Sequence, residues 1–478
     1  MFLKRGEAGN SEIFRGFWSY FLAFKKAAEE LSRESLFPRS SGIWQREKSP
    51  GTPFFSDVIK TYNNGLGWVV ENFPFNALDY LLAVEGALAL RGAVSRTLTT
   101  NSRRFAAFPF VFDSGEDFVD DSNEVKGTAS SIWLPLWDRP TCFAELESFI
   151  CDAQARLPNK EARFSAEFAR ALRAQGVDAG FAGWQEFRFK MRASRVPWIC
   201  TGRYLGAVVN ERSTLLNDAL APLDESRFLD QFEIWRGRDG KIKGSSPHYL
   251  RVSINAAIEN AVAQPIAENA LRILLAVFCA SQQLTASKDL REKIGESGRR
   301  VTFCESLPQE AWQKILDDLD SPEFRIARAL AGIQGTLNSK EGDYFLVQPF
   351  LGSILPLKCP RSRQWYLPTE PRDRSKQTVW SGADLAHDLT RVFARRYLDS
   401  LEEDRPAVLS PEPAPLRDIL DFVDGKLDDQ RIARWIEALS LIAWHWIKPE
   451  KQSSPMQPHE DIEDGAQGDF PAIPPAYA

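Results

Sequence analysis

A histidine and an aspartate stand side by side at residues 387 and 388, and such a pair can ligate a catalytic metal. A hydrolytic metal shell of this kind also needs a further upstream histidine and a distant aspartate. The chain has four histidines: His248, His387, His445 and His459. His248, the only upstream one, falls in a predicted turn, and His445 lies between two tryptophans as a packed imidazole would. The spacing therefore predicts no metal centre.

Other reactive constellations are not found in the sequence. No Ser-His-Asp set can be assembled, and the motifs G-x-G-x-x-G after a strand, G-x-x-x-x-G-K-[ST] and H-E-x-x-H are missing. The six cysteines form no C-x-x-C pair, which favours buried thiols in a reducing compartment over zinc ligands. We therefore predict a protein that is not an enzyme and needs no cofactor.

The basic residues are more informative about function than these motifs, because they occur in clusters along the sequence. The formal charge is −6, but the segment 455–478 holds five acids and no Lys or Arg, so the remainder is almost neutral. The clusters are Arg96, Arg103 and Arg104; Arg188, Lys190, Arg192 and Arg195; Arg236, Arg238, Lys241 and Lys243; Arg361, Arg363, Arg372, Arg374 and Lys376; and Arg391, Arg395 and Arg396. Local cation patches bind phosphates even when the total charge is neutral, whereas any single cluster can equally be a solvated surface.

The elements that position these residues are mainly helical. Apolar residues at helical spacing predict amphipathic helices over 14–32 and 76–93, and a short strand over 105–112 precedes an acidic surface loop at 113–124. We predict a mainly α protein with a smaller α+β amino-terminal part. The predicted regions are 1–140, the α+β part; 141–206, a winged-helix-like subdomain; 207–250, a linker with a basic glycine-rich loop; 251–448, a helical bundle; and 449–478, a disordered acidic tail.

The winged-helix-like prediction rests on the order of elements after residue 141. Helices are predicted at 142–156, 165–174 and 179–184, followed by extended runs at 186–191 and 197–204. The hairpin would be the wing and would hold Arg188, Lys190, Arg192 and Arg195 along a phosphate backbone. A small helical subdomain with a solvated hairpin fits the pattern as well.

Residues 236–244, Arg-Gly-Arg-Asp-Gly-Lys-Ile-Lys-Gly, form a cationic loop that can reach a groove or remain a plain mobile hairpin. Beyond residue 249, helices with the 3.6-residue period are predicted at 251–260, 267–284, 309–319, 321–333, 382–401, 416–423 and 428–447, with an extended stretch at 344–357. A carboxy-terminal helical bundle follows from this order.

Seven blocks in a fixed order suggest a family. They are VEGAL with GAVSR from Val84 to Arg96, AFPF from Ala107, IWLPLWDRP from Ile132, EFARA with GVD from Glu167 to Asp178, PEFRIARALA from Pro322, WS with RRYL from Trp380 to Leu398, and WIEALSLI from Trp435. Together they resemble the large subunit of type I-G (formerly I-U) CRISPR interference complexes. The family's Leu-x-Gly-Cys start and Tyr-Leu-Lys-Ala-Leu-Gly helix do not occur here, and Glu186-Phe187-Arg188-Phe189 replaces its Arg-Tyr-Gly-Phe run. The chain is expected to lack the family's usual amino-terminal region.

The resemblance implies a non-catalytic subunit of a cytoplasmic surveillance complex. Its expected partners are guide RNA, target double-stranded DNA and the displaced single strand, the backbone and guide-processing subunits, and a helicase-nuclease; no membrane is expected. The predicted nucleic-acid-binding residues are Arg188, Lys190, Arg192, Arg195, Arg236, Arg238, Lys241, Lys243, Arg361 and Arg363. Two alternatives stay open: a structural scaffold subunit of the same assembly that does not recognise DNA, and an HD-type nuclease using His387-Asp388.

Overall fold

A computed structural model gives the fold of most of the chain. The described residues are 10–36, 45–46, 74–89, 94–96, 105–107, 111–119, 125–137, 140, 142, 144–145, 156–157, 160–162, 164–175, 181–191, 197–206, 211–232, 247–296, 298–338, 344–358, 365–368, 379–403 and 413–444. They fall into two compact units, the first within Met1–Arg156, Lys160–Leu172 and Gly176–Val208, and the second within Leu157–Asn159, Arg173–Gln175 and Val209–Ala478.

Helices dominate the described part of the chain, so the prediction of a mainly α protein with a smaller sheet-containing part is confirmed. The helices are α1 Asn10–Lys26, α2 Ala28–Leu36, α3 Ala77–Ala89, α4 Ser165–Gln175, α5 Glu211–Glu225, α6 His248–Ala263, α7 Ala267–Ala286, α8 Lys288–Glu296, α9 Gln309–Leu316, α10 Pro322–Ala331, α11 Leu351–Ile354, α12 Leu385–Glu403, α13 Leu416–Val423 and α14 Asp429–Leu439. No single helix among them is long and apolar enough to cross a membrane, and the one pair that reaches that length jointly, α7 with α8, is bent by 94°.

The strands are short outside one sheet. They are β1 Gln45–Arg46, β2 Pro74–Phe75, β3 Val94–Arg96, β4 Phe105–Ala107, β5 Val111–Val119, β6 Val125–Trp137, β7 Arg156–Leu157, β8 Lys160–Glu161, β9 Phe181–Met191, β10 Pro197–Gly206, β11 Leu307–Pro308, β12 Gln334–Asn338, β13 Tyr344–Pro349 and β14 Ile442–Ala443. The first unit contains a four-stranded antiparallel sheet in the order β10-β9-β6-β5. Trp133 on β6 lies opposite Glu186 on β9, and Cys200 on β10 lies opposite Arg188.

One face of this sheet carries α4. Phe168 of α4 packs between two tryptophans, 5.7 Å from the ring of Trp133 and 5.6 Å from the ring of Trp184. All three side chains are almost completely buried. Phe168 and Trp133 belong to two of the sequence blocks quoted above, so those blocks meet in one core.

A separate apolar cluster in the first unit joins α1, α2 and α3. Tyr20 and Tyr80 are buried with their rings 4.8 Å apart. Asn76 precedes α3, accepts a hydrogen bond from the Leu78 N–H at 2.9 Å and donates to the Leu31 carbonyl at 2.8 Å. Capping and cross-linking by one buried amide fix where α3 begins relative to α2.

The second unit contains α7, whose buried residues include both apolar and small polar side chains. Its residues Ile273, Leu274, Val277 and Phe278 have no exposed surface, as expected for the apolar face of an amphipathic helix. Helix α14 packs on α7 and on α10, where Phe324 meets Trp435 with ring centroids 5.7 Å apart. These two aromatic residues also come from two of the quoted blocks.

Several boundaries differ from the sequence predictions. The helix predicted at 179–184 is wrong, because β9 begins at Phe181, and its residues Gly183 and Trp184 pair with β6 and β10. Residues 113–119 of the predicted acidic loop continue β5 instead. The segment predicted as a linker at 207–250 contains α5. The last helix ends at Leu439, after which β14 pairs in parallel with β11.

The hairpin predicted after residue 186 is confirmed as β9 and β10, and the helix predicted at 165–174 is confirmed as α4. The winged-helix arrangement is not confirmed, since β9 also pairs with β6 inside a larger sheet. The basic loop at 236–244 and the tail at 449–478 lie outside the described residues.

Candidate nucleic-acid interface

Most of the predicted cations lie outside the described residues. These are Arg192, Arg195, Arg236, Arg238, Lys241, Lys243, Arg361 and Arg363. Lys190 is described only by its backbone, which lies in β9 opposite Trp198. Arg188 is the single predicted site residue whose side chain is described.

Arg188 is an interior ion-pair partner. Its Nε lies 3.0 Å from Glu186 Oε2, the Glu186 side chain is completely buried, and only 15% of the Arg188 side chain is exposed. The Ser165 hydroxyl donates to the other Glu186 oxygen at 2.7 Å. A guanidinium held in this way compensates a buried carboxylate, so Arg188 differs from the exposed wing cation that the sequence predicts.

Arg396, which belongs to the last of the basic clusters, is also buried. It is 8% exposed, its guanidinium lies 5.7 Å from the centroid of the Phe350 ring, and Nη2 donates to the Ser353 hydroxyl at 3.4 Å. Cation–π stacking and hydrogen bonding place this arginine in the packing of α11 and α12.

The His387-Asp388 dipeptide lies on the first turn of α12, where the aspartate has a structural task. Asp388 is completely buried. One oxygen accepts the Ser381 N–H at 2.9 Å and the Ser381 hydroxyl at 2.8 Å, and the other accepts the Gly382 N–H at 2.7 Å. His387 is exposed, and its backbone N–H donates to Asp384 Oδ1 at 2.9 Å. Within the described residues no three His, Cys, Asp or Glu side chains form a group suited to a metal ion.

Asp388→Ala is expected to lower the free energy of unfolding by about 3 kcal/mol, because three part-buried hydrogen bonds to a charged acceptor, from two backbone N–H groups and a hydroxyl, are lost. His387→Ala is expected to change it by less than about 0.5 kcal/mol, since the side chain is exposed. Urea denaturation of both variants measures the difference. Equal destabilisation by the two substitutions would contradict the structural assignment of Asp388.

A surface cleft between α7 and α14 gathers three arginines and a tryptophan from distant parts of the chain. Its volume is about 320 Å³. It is lined by Glu268, Leu271, Arg272, Leu275, Asp428, Gln430, Arg431, Arg434, Trp435 and Ala438. We call it the Arg–Trp cleft. Arg272, Arg431 and Arg434 are exposed there, and Trp435 is half-buried.

Three contacts hold two cations of the Arg–Trp cleft, Arg431 and Arg272, in place. The Arg431 guanidinium lies over the Trp435 ring, 4.4 Å from its centroid, as the i, i+4 spacing on α14 allows. Arg431 Nη2 is 3.5 Å from Glu268 Oε1, and Arg272 Nη1 donates to Asn269 Oδ1 at 3.0 Å. A stacked guanidinium keeps its in-plane N–H donors available, so the cleft offers an aromatic surface and several cationic donors together.

The electrostatics of the cleft favour an anion. Asp428 Oδ1 accepts the Arg431 backbone N–H at 3.1 Å and so caps α14. The negative charge of Asp428 is therefore engaged by the helix end. Helices α7 and α14 both begin at the cleft, at Ala267 and Asp429, and helix amino-terminal ends carry partial positive charge. Glu437 lies one turn beyond Arg434. Burial raises the pKa of its carboxyl group, although the hydrogen bond that the Trp380 indole N–H donates to it at 3.1 Å lowers that pKa.

No protein-family model matches this chain, and no curated protein matches it in sequence. The residues of the Arg–Trp cleft were not among those predicted to bind. Arg431, Arg434 and Trp435 share one predicted helix, and their spacing was a usable signal. Arg272 lies more than 150 residues earlier, and only the packing of α7 on α14 brings it to the same surface.

Proposed function

We propose that this chain is the non-catalytic large subunit of an RNA-guided CRISPR surveillance complex. In this role it binds target DNA next to the protospacer, assists duplex opening, holds the displaced strand and helps to recruit the helicase-nuclease. The observation that carries the proposal is the Arg–Trp cleft, which presents three exposed guanidinium groups and an indole on one surface. Backbone phosphates pair with the guanidinium groups, and an unstacked base packs on the Arg431 guanidinium plane that lies over the indole ring.

The division of labour in a guided complex suits this site. Guide pairing supplies the sequence information, so the protein needs phosphate contacts and stacking surfaces more than base-specific donors. Within the proposal, residues 251–448 form a helical bundle that holds single strand, and α4 with the β9–β10 hairpin serves as a winged-helix-like element. The buried carboxylates Glu186, Asp388 and Asp418 each have hydrogen-bond or ion-pair partners inside the protein, which supports structural tasks for them.

The triple variant Arg272→Ala, Arg431→Ala, Arg434→Ala tests the proposal. Each phosphate contact on a single strand contributes about 0.7 to the salt slope of binding, so losing three lowers that slope by about 2. We expect affinity for a single-stranded oligonucleotide to fall by about tenfold or more, at the same salt concentration. Fluorescence anisotropy of the purified chain over a salt series measures both quantities, with duplex DNA as a second probe.

The matched control is Lys288→Ala, Lys293→Ala, Lys314→Ala, which removes the same charge from exposed positions on α8 and α9. It is expected to leave affinity within about twofold, because screened charges distant from a site contribute little. Equal losses in the two triple variants would reduce the effect to general electrostatics and contradict the proposal. A separate variant of Arg236, Arg238, Lys241 and Lys243 tests the loop predicted from the sequence.

A scaffold subunit without DNA recognition is the second candidate, and one observation favours it. Helix α13 exposes 63% of Leu416, 56% of Leu420 and 75% of Val423 at i, i+4 and i+7. An apolar stripe of this kind is typical of protein contact surfaces. Under this alternative the assembled complex would need α13 and would be indifferent to the triple arginine variant.

A further inference from the structure

The carboxy-terminal segment of the chain is acidic, and its charge is opposite to that of the Arg–Trp cleft. The segment 455–478 carries Glu460, Asp461, Glu463, Asp464 and Asp469 and no Lys or Arg. Four of these acids fall within 460–464, Glu-Asp-Ile-Glu-Asp. The run combines four acidic side chains with one apolar side chain, Ile462, and so complements in charge a cleft that offers three guanidinium groups beside an indole.

The connection between this run and the cleft is short. The described chain reaches Trp444, whose indole N–H donates to the carbonyl of Leu439, the last residue of α14, at 3.0 Å. Arg431 lies eight residues before Leu439 on the same helix, about 12 Å along its axis. The 16 residues from Trp444 to Glu460 span up to about 55 Å when extended. The acidic run can therefore reach the cleft of its own molecule.

We propose that residues 460–464 bind the Arg–Trp cleft and compete there with nucleic acid. This inference rests on the proposed function, because the competitor occupies the same site. Carboxylates accept the same charge-assisted hydrogen bonds from guanidinium groups that phosphates accept. A segment tethered this close acts at an effective concentration of about millimolar, so even a weak contact displaces loosely bound single strands.

Competition also gives the protein a means of selection. A single strand that contacts only the cleft has to displace a tethered anion in order to bind. A strand that the complex also holds at other sites gains enough binding energy from those contacts to displace the anion. The acidic run thus raises the threshold for binding without changing which groups in Arg272, Arg431 and Arg434 contact phosphate.

The test neutralises the run in the full chain with Glu460→Gln, Asp461→Asn, Glu463→Gln and Asp464→Asn. The expected result is about tenfold tighter binding of a 20-nucleotide oligothymidine, measured by anisotropy at fixed salt. The control, Glu30→Gln, Glu292→Gln, Glu296→Gln and Glu310→Gln, makes the same charge change at exposed positions and is expected to shift affinity less than twofold.

Combining the neutralised run with Arg272→Ala, Arg431→Ala and Arg434→Ala separates the two proposals. We expect neutralisation to have no effect in that background, and a labelled 455–478 peptide to bind the neutralised chain only when the three arginines are present. If the triple variant weakens oligonucleotide binding but neutralisation never tightens it, competition is overturned while the proposed function stands. If the peptide binds in an arginine-dependent way but the oligonucleotide does not, the proposed function fails and the intramolecular contact remains.

Discussion

Replacing Asp418 with alanine is expected to lower the free energy of unfolding of the second unit by about 3 kcal/mol. Asp418 on α13 is 3% exposed and is paired with Arg325 of α10, Nε to Oδ2 at 2.6 Å and Nη2 to Oδ1 at 3.0 Å. Removing the carboxylate takes two hydrogen bonds from a guanidinium whose side chain is 25% exposed. Asp320 still accepts from Arg325 Nη1 at 2.6 Å, which keeps the loss at the lower end for a broken buried pair.

The same pair gives stability a defined pH dependence. The hydrogen bond from Arg325 holds the pKa of Asp418 below its ordinary value of 3.8, although burial opposes this shift, and the pKa of Arg325 is raised by the same contact. A depressed folded pKa means that the stabilisation is fully present above the unfolded pKa and is lost as pH falls through the folded one. The advantage of the wild type over Asp418→Asn should therefore shrink below pH 3.8.

Urea denaturation of the wild type, Asp418→Ala and Asp418→Asn between about pH 3 and pH 7 measures both effects. Asp421→Asn is the matched control, because Asp421 pairs with Lys426 at 3.0 Å on the surface, where side chains are 27% and 60% exposed. Exposed pairs contribute about 0 to 1 kcal/mol. A wild-type advantage over Asp418→Asn that stays constant down to pH 3 would show that the ion pair does not depress the pKa.

Helix positions followed from the sequence for several helices that bury one face, although α5 buries Leu220 and Leu223 within the segment predicted as a linker. The periods at 267–284 and 416–423 reproduce α7 and α13 closely, because apolar side chains that must meet a neighbour recur every 3.6 residues. Helix ends were less predictable. The prediction carried α14 to residue 447, but Ile442 and Ala443 leave the helix to pair with β11, a partner more than 100 residues away.

The sheet of the first unit was only half predictable, for a physical reason. The hairpin β9–β10 is local, whereas its pairing with β6 joins Trp133 to Glu186 across about 50 residues that carry no short-range signal. Residues 179–184 contain Ala179 and Ala182, which suit a helix, and the sheet overrides that preference. The acidic residues in β5 suggested a loop, although strands tolerate charges on a solvated face.

The candidate site shows the limit of reading clusters along the chain. Arg188 and Arg396 belong to conspicuous basic clusters, but each side chain is committed to an interior partner, Glu186 or Phe350. The cations of the Arg–Trp cleft are sparse in sequence and converge only through helix packing. Charge density along the sequence identifies candidates, but burial and the identity of neighbouring side chains decide which cations remain available.

Glu186→Ala is expected to destabilise the first unit by about 4 kcal/mol, the largest effect of any substitution proposed for it. The carboxylate has no exposed surface and ends a directional chain of hydrogen bonds. The Trp133 indole N–H donates to the Ser165 hydroxyl at 3.0 Å, and that hydroxyl donates to Glu186 Oε1 at 2.7 Å. Arg188 Nε contacts the other oxygen at 3.0 Å. Removing the Glu186 carboxylate takes this partner from the buried Ser165 hydroxyl and from the Arg188 guanidinium.

Ser165→Ala separates the hydrogen-bond chain from the ion pair. It removes the relay between Trp133 and Glu186 but leaves Arg188 in place, so the expected loss is about 2 kcal/mol. The double variant should lose less than the sum of the two single losses, because the same contact is removed in both. Denaturation followed by tryptophan fluorescence measures all three, since Trp133 lies inside the network. Strict additivity would show that Ser165 and Glu186 are energetically independent, and it would remove the hydrogen-bond chain as the reason why a charged residue is tolerated beneath α4.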